Sequence, residues 1–85
     1  MRLKQHFECM PVMHMTVAVP MDNGSFRGVL RLNKTAAAIV ELLKEETSEE
    51  AIVDALAERF DAPRDTLAKD VERVIAMLRE KDLLV

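Results

Sequence analysis

Two histidines and a cysteine lie close together near the start of the sequence, and these residue types often bind transition metals. They are His6, Cys9 and His14. Side chains alternate between the two faces of a strand, so the even-numbered histidines and the odd-numbered cysteine have opposite parity. The sequence offers no evident fourth ligand. We therefore expect no metal and no cofactor, and we assign Cys9 to the core as a small apolar residue.

Motifs for enzyme chemistry are missing from the sequence. It contains no glycine-rich phosphate loop, no G-x-S-x-G motif and no H-E-x-x-H motif. Its acidic cluster at residues 45–50 falls where one helix is expected to end and the next to begin, and Glu49 and Glu50 suit the positive end of a helix dipole. These carboxylates should lie in water, so we expect no enzymatic activity from this chain alone.

The elements that position these residues belong to a short chain. Its 85 residues, 49% hydrophobic and 32% charged, predict one small globular domain over residues 1–85. The single cysteine excludes an internal disulfide. The N-terminal segment lacks the apolar run of a signal peptide, and no stretch approaches the length of a membrane span. We expect a cytoplasmic protein without a membrane partner.

Alternation of apolar and polar residues predicts three strands. From Met13 to Val19 the odd-numbered residues are all apolar, so they should form the buried side of a half-buried strand. Asn23-Gly24 is a strong hairpin signal, and alternation resumes from Phe26 to Leu32. A weaker pattern from Leu3 to Met10 adds one more strand. Together they predict a three-stranded antiparallel sheet.

Three helices are expected after the strands. Asn33 is a good N-cap for the first, over residues 34–45, and Thr47 with Glu50 forms a capping box for the second. The third runs from residue 63 or 64 to 81, after which the final Leu-Leu-Val should pack on the core. The fold class is therefore α+β, a small winged-helix-like domain of order β-β-β-α-α-α.

A winged-helix protein that binds DNA is the alternative function, with the third helix in the major groove. The region from residue 64 to 82 carries five basic and five acidic residues, a net charge of zero. The chain as a whole carries −3. Because DNA-binding surfaces are normally basic, this balance argues against a nucleic-acid partner.

An exposed strand edge offers another function, the binding of an extended peptide through backbone hydrogen bonds. The strand from Phe26 to Leu32 is the most regular candidate, and its outward Arg27 and Arg31 suit an acidic or amphipathic ligand. The same arginines could equally protect a bare edge from aggregation, and an exposed edge could also pair with itself in a homodimer.

The third helix has a flank beside its apolar face, made of Asp70, Arg73 and Met77. Methionine is an adaptable contact at peptide-binding surfaces. Met77 could equally complete the edge of the core, and the helical spacing alone does not separate these two roles.

Three segments together resemble the PqqD-like family. They are LRLNKTAAAIVELL, TSEEAIVDALAERFDAP and LAKDVERVIAMLREKDLL. The residues that match the family pattern occur in the same order and at the same spacing as in its members. Among them are Asn33, Thr35 and the pair Asp70-Val71. Phe60 stands where many members have tyrosine, and Pro63 where a helix-capping acid is common.

This resemblance implies a chaperone that binds a precursor peptide and presents it to a modifying enzyme such as a radical SAM protein. PqqD does so in synthesis of the quinone cofactor PQQ, and related recognition elements serve other ribosomally made, modified peptides. In that family the leader adds a strand beside the third β-strand, in the groove next to the third helix. Carried over by position, the implied peptide-binding residues are Arg27, Val29, Arg31, Asp70, Arg73 and Met77.

Overall fold

The computed structural model describes residues 1–21 and 28–85. Its strands are β1 (Phe7–Val12), β2 (Met15–Pro20) and β3 (Leu30–Leu32), followed by the helices α1 (Lys34–Leu42), α2 (Glu49–Arg59) and α3 (Arg64–Glu80). This is the predicted α+β order, a three-stranded antiparallel sheet followed by three helices. The predicted Asn23-Gly24 hairpin lies outside the described residues.

The sheet has the order β1-β2-β3, with both pairs antiparallel. Met13 and His14 form the two-residue turn between β1 and β2, and Met13 has a positive φ of 55°. The predicted first strand over Leu3 to Met10 is displaced, because β1 begins at Phe7 while Leu3 makes an isolated bridge to Leu84. The start of the predicted strand therefore pairs with the end of the chain at Leu84 and does not belong to the sheet.

The buried side of β2 is the opposite of the one predicted. Ala18 is completely buried, whereas Met15 is 43% exposed. Ala18 pairs with Cys9 on one side and with the buried Leu30 on the other, so this row of the sheet faces the helices. The odd-numbered residues consequently lie on the outer face. The prediction was wrong because β2 is apolar on both of its faces.

The described part of β3 is shorter than predicted. Phe26 and Arg27 fall outside the described residues, and Val29 precedes the strand. Leu30 and Leu32 point into the core. The direct join from strand to helix is confirmed, since the Asn33 side chain caps α1 by accepting the backbone N–H of Ala36 at 2.8 Å.

The helix starts and ends agree with the sequence to within a few residues, with one correction. The N-cap of α2 is Ser48, whose hydroxyl accepts the N–H of Ala51 at 3.2 Å, so the predicted capping box of Thr47 and Glu50 is wrong. Thr47 instead donates its backbone N–H to the carbonyl of Met1 at 2.9 Å. Helix α1 ends at Leu42, three residues early, and α3 begins after Pro63, which provides no side-chain cap.

The core lies between the inner face of the sheet and the three helices. Its largest fully buried side chains are Phe7, Ile39, Leu43, Ile52, Leu56, Leu67, Ile75, Leu78 and Leu83. The predicted packing of the final Leu-Leu-Val is confirmed for the two leucines, because Leu83 is buried and Leu84 packs partly against the core, whereas Val85 is 61% exposed. The carbonyl of Leu83 accepts the N–H of Lys4 at 2.8 Å. None of the described helices combines the length and the apolar character needed to cross a membrane.

Candidate functional site

The pairing register determines which backbone groups of the sheet remain open. Met21 donates its N–H to the carbonyl of His6 at 2.9 Å, in register with the pairs between β1 and β2. In antiparallel sheets, hydrogen-bonded pairs alternate with pairs whose backbone groups point away from each other. The odd-numbered residues of β2 therefore bond to β1. Pro11 and Pro20, which lack an N–H, both fall in the non-bonded pairs, as this assignment requires.

The same alternation continues into β3. The even-numbered residues of β2 bond to β3, so Leu30 and Leu32 use their backbone groups against Ala18 and Thr16. Arg31 pairs with Val17 in a non-bonded pair, so its N–H and C=O point to the open edge of the sheet. That edge has no further strand among the described residues. Arg31 thus offers one donor and one acceptor to an extended chain.

A groove of about 360 Å³ lies between the end of β3 and helix α3. Its lining residues are Arg31, Leu32, Asn33, Ala36, Arg73, Val74 and Met77. Leu32 and Val74 are almost fully buried and Met77 is half-buried against the core, so the groove has an apolar floor. We call this feature the β3–α3 groove.

The rim of the β3–α3 groove is basic. Arg73 donates to Asp70 at 2.8 Å, which holds its guanidinium along the helix by an i,i+3 ion pair. Arg31 is exposed and makes no ion pair with any residue of the described ranges. One arginine on each side of an apolar floor favours a ligand that is apolar in its centre and acidic at its margins.

The structure brings together three of the six residues that the sequence assigned to peptide binding. Arg31, Arg73 and Met77 line the β3–α3 groove, and Asp70 touches it through its ion pair with Arg73. Val29 does not line the groove. It is 53% exposed just before β3, and Arg27 lies outside the described residues.

The sequence analysis did not assign the other four groove residues, Leu32, Asn33, Ala36 and Val74, to ligand binding. Ala36 and Val74 have the spacing of core positions on α1 and α3, and Val74 is indeed buried. The small side chain of Ala36 leaves space at the start of α1 where a larger residue would fill the groove. The sequence signal for this groove residue is a small side chain, Ala36, about one helical turn after the end of a strand.

Cys9 lies on the other edge of the sheet, away from this groove, and is partly buried against α1. Burial and a hydrogen bond to the carboxylate of Glu41 raise the pKa of the Cys9 thiol to about 11. Burial alone would raise the pKa of the Glu41 carboxyl. Hydrogen bonds from Cys9 and Lys44 outweigh this effect, so the pKa is lowered. The thiol is therefore protonated and unreactive at neutral pH.

His6 and His14 do not join Cys9. The His6 ring lies beside the carboxylate of Glu8, with Nε2 and Oε1 at 3.3 Å, and His14 lies in the exposed turn after β1. Within the described ranges, no three histidine, cysteine or acidic side chains are grouped closely enough to hold a metal ion.

Comparison with known proteins agrees with this architecture. The sequence profile of coenzyme PQQ synthesis protein D (PqqD) matches residues 16–84, so the chain belongs to the PqqD family. No curated protein matches the sequence significantly.

Two solved structures share the fold over almost their whole length. One is TbiB1 in complex with the TbiA(beta) leader peptide, with a TM-score of 0.70 and 24% identity over 99% of this chain and 94% of that chain. The other is lasso peptide synthetase B1 complexed with the leader peptide, with a TM-score of 0.67 and 22% identity over 96% of this chain and 93% of that one.

Proposed function

We propose that this protein is a non-catalytic recognition module, a single domain working in the cytoplasm. It binds the leader of a ribosomally made precursor peptide and presents the peptide to a modifying enzyme. The observation that carries the proposal is the open backbone edge at Arg31 directly beside the β3–α3 groove. Membership of the PqqD family supports it, as do two structures of the same fold that are complexes with leader peptides.

The mechanism is strand addition. The leader lies beside β3 as a fourth strand and exchanges hydrogen bonds with the N–H and C=O of Arg31. Alternate leader side chains then point to the helix side of the sheet, where Leu32, Val74 and Met77 form an apolar floor. The backbone bonds provide affinity for any extended segment, and the floor selects apolar residues at every second position.

Charge adds a second level of selection. Acidic leader residues near the groove meet Arg31 and Arg73, both of which are exposed at its rim. Exposed pairs of this kind contribute roughly 0.2–1 kcal/mol each, so they orient the leader more than they hold it. Because described β3 is only three residues long, we expect a small interface of less than about 1,200 Å² and a transient complex.

A transient complex suits a carrier that must release its cargo to an enzyme. The family's description as a PQQ synthesis protein supports a radical SAM enzyme as the receiver. Among the described residues, the charged side chains that line the groove are two arginines. We infer that chemistry on the peptide is carried out by the partner.

A pair of substitutions at one position tests the strand-addition site. Arg31→Pro removes the outward N–H, whereas Arg31→Ala keeps it and removes only the side chain. The probe is a fluorescein-labelled synthetic leader from the precursor encoded beside this gene, followed by fluorescence anisotropy. We expect at least a tenfold loss of affinity for Arg31→Pro and a loss of about two- to fivefold for Arg31→Ala.

Circular dichroism is needed to verify that both variants keep the helical signal of the parent. Equal affinities for the two variants would show that no backbone bond forms at Arg31. If the protein instead binds duplex DNA tightly, with an affinity that falls steeply as salt is added, the nucleic-acid alternative replaces the proposal.

A further inference from the structure

The outer face of the sheet, turned away from the helices, is mainly apolar. Its outward residues in the three strands are Glu8, Met10, Val12, Met15, Val17, Val19 and Arg31. Five of these seven are apolar, and they form a continuous surface across β1 and β2. We call these five residues the outer apolar face.

This surface is open to water in the single chain. Met10 is 49% exposed, Val12 47% and Met15 43%, and Met13 at the tip of the turn is 93% exposed. An antiparallel sheet with one solvated face normally alternates between apolar and polar residues. Apolar residues on both faces are typical of a strand that is covered on both sides, so the sequence of β2 is that of a strand with a second packing partner.

The charges around the outer apolar face are balanced. In the three strands, the two charged outward residues are Glu8 on β1 and Arg31 on β3, one acid and one base on opposite edges of the sheet. The rows that contain them are neighbours, since Glu8 pairs with Val19, and Val17 pairs with Arg31. A surface with one charge of each sign on opposite sides is complementary to itself.

We propose that the outer apolar face binds the same face of a second copy of this chain. A two-fold axis parallel to β2 stacks the two sheets, as in a β-sandwich, and places β1 of each copy over β3 of the other. Glu8 of one copy then lies about 7 Å along the strand from Arg31 of its partner, which is two residues of strand rise and within the reach of an arginine side chain. Val17 lies at the axis and packs against itself.

The size of the face determines the strength of this dimer. A face of on the order of 500 Å² per copy gives about 1,000 Å² in total, slightly below the ~1,200 Å² at which stable specific interfaces begin. The dimer is therefore weak, because an interface below that size seldom holds a stable complex. The free chain is mainly monomeric when dilute and dimeric when concentrated.

The association and the proposed peptide site share one residue, Arg31, which borders the groove and also lies at the margin of the outer apolar face. The outer apolar face is perpendicular to the open edge of β3 and on the opposite side of the sheet from the β3–α3 groove. A dimer therefore leaves both edges accessible and displays two grooves on one particle. Failure of peptide binding and failure of dimerisation are separate outcomes.

Analytical ultracentrifugation over about 10 µM to about 1 mM tests the proposal by mass action. For the unmodified chain, the weight-average mass should rise from 9.6 kDa toward twice that value. Val17→Lys puts two like charges at the axis and should weaken dimerisation at least tenfold. Ala57→Lys adds the same charge at an exposed position of α2 and should leave the dimer unchanged.

A charge exchange tests the orientation. Glu8→Lys and Arg31→Glu should each weaken self-association, because each puts like charges together across the axis. An equimolar mixture of the two variants should dimerise again, since every contact in the mixed pair joins opposite charges. This recovery requires the stated arrangement and does not follow from a general loss of stability.

Three results overturn the proposal. They are a parent chain that remains monomeric at 1 mM, a Val17→Lys variant that dimerises as the parent does, and a mixture that associates no better than its components. If Val17→Lys loses its circular dichroism signal, Val12→Lys replaces it, since Val12 is 47% exposed at the end of β1.

Discussion

Val17 on β2 lies directly opposite Arg31 on β3, in a pair whose backbone groups point away from each other. Val17 bonds to β1 on its other side, so the open backbone groups of this pair belong to Arg31 alone. The relationship places an unused donor and acceptor at the edge of the sheet next to the β3–α3 groove. The two-residue turn at Met13 and His14 fixes the register of β1 against β2, so the odd-numbered residues of β2 bond to β1 and the even-numbered ones are left for β3.

Val29 has the same parity as Arg31, so a leader that extends past Leu30 would find its N–H at the same edge. Val29 directly precedes β3, so an added strand that extends past Leu30 would lengthen β3 by this residue. We expect Val29→Pro to weaken leader binding about three- to tenfold, less than Arg31→Pro, because one peripheral hydrogen bond is lost. Isothermal titration calorimetry with the leader measures this.

Val29→Ala is the matched control, since it keeps the N–H and removes part of the side chain. A leader affinity for Val29→Pro equal to that of Val29→Ala would mean that the added strand ends at Leu30. A loss as large as that of Arg31→Pro would mean that both positions bond the leader equally.

Met77 provides the test of the apolar floor. It is half-buried on α3 and lines the groove, whereas the adjacent Ala76 is exposed on the same helix. Met77→Asp puts a carboxylate where the leader's apolar side chains would pack, and an unpaired charge beside an apolar ligand is costly. We expect a loss of leader affinity of at least tenfold, measured by fluorescence anisotropy, and little loss for Ala76→Asp.

The two variants carry the same added charge on neighbouring residues of one helix, so a general electrostatic effect would change both affinities alike. Thermal unfolding checks that Met77→Asp is folded at the temperature of the assay. Equal leader affinities for the parent and Met77→Asp would remove α3 from the binding site.

Local signals in the sequence were sufficient for the helices and the strand-to-helix join. Asn33 followed by an apolar pattern with helical spacing gives the start of α1, and the join brings Arg31 beside the helices. The face of β2 was not predictable in the same way, since its two faces are both apolar and only the pairing of Ala18 with Leu30 decides between them. Local sequence is enough to predict whether a segment forms a helix or a strand. The register of a strand depends on its partner strands, which lie elsewhere in the chain.

In the candidate site, too, some residues could be predicted from local sequence and others could not. Arg31, Arg73 and Met77 were assigned from strand alternation, helix spacing and a family resemblance, and the structure gathers them around one groove. Ala36 and Val74 were not assigned to the site, because a residue that supports the core and also borders a groove has the sequence pattern of a core residue. Only the placement of α3 beside β3 gives them a second role.

The start of α2 gives a prediction about stability. Ser48 caps the helix through its hydroxyl, while the described contacts of Thr47, both with Met1, use its backbone N–H and C=O. Ser48→Ala should lower the free energy of unfolding by about 1 kcal/mol, the usual cost of losing an N-cap. Thr47→Ala keeps the backbone contact and should cost less. Urea denaturation of both variants measures the difference, and a larger cost for Thr47→Ala would assign the cap to Thr47.

The last prediction concerns the thiol of Cys9, whose pKa is raised to about 11 by burial and by the neighbouring Glu41 carboxylate. The sequence contains no tyrosine, so the rise in ultraviolet absorbance on titration reports the thiolate alone. We expect a midpoint near 11 in the folded chain, against an ordinary value of 9.0. In Glu41→Gln the midpoint should move down but stay above 9.0, because burial is the larger cause.

The raised pKa also gives stability a pH dependence with a definite sign. The folded state holds the thiol proton more tightly than the unfolded state, so this contribution is complete below pH 9 and is lost as the pH rises toward 11. Urea denaturation at several pH values should show a decline in this range for the parent that is reduced in Cys9→Ala. A decline of the same size in both proteins would assign the effect to other groups. A midpoint near 9.0 in the folded parent would show that Cys9 is not shielded by α1.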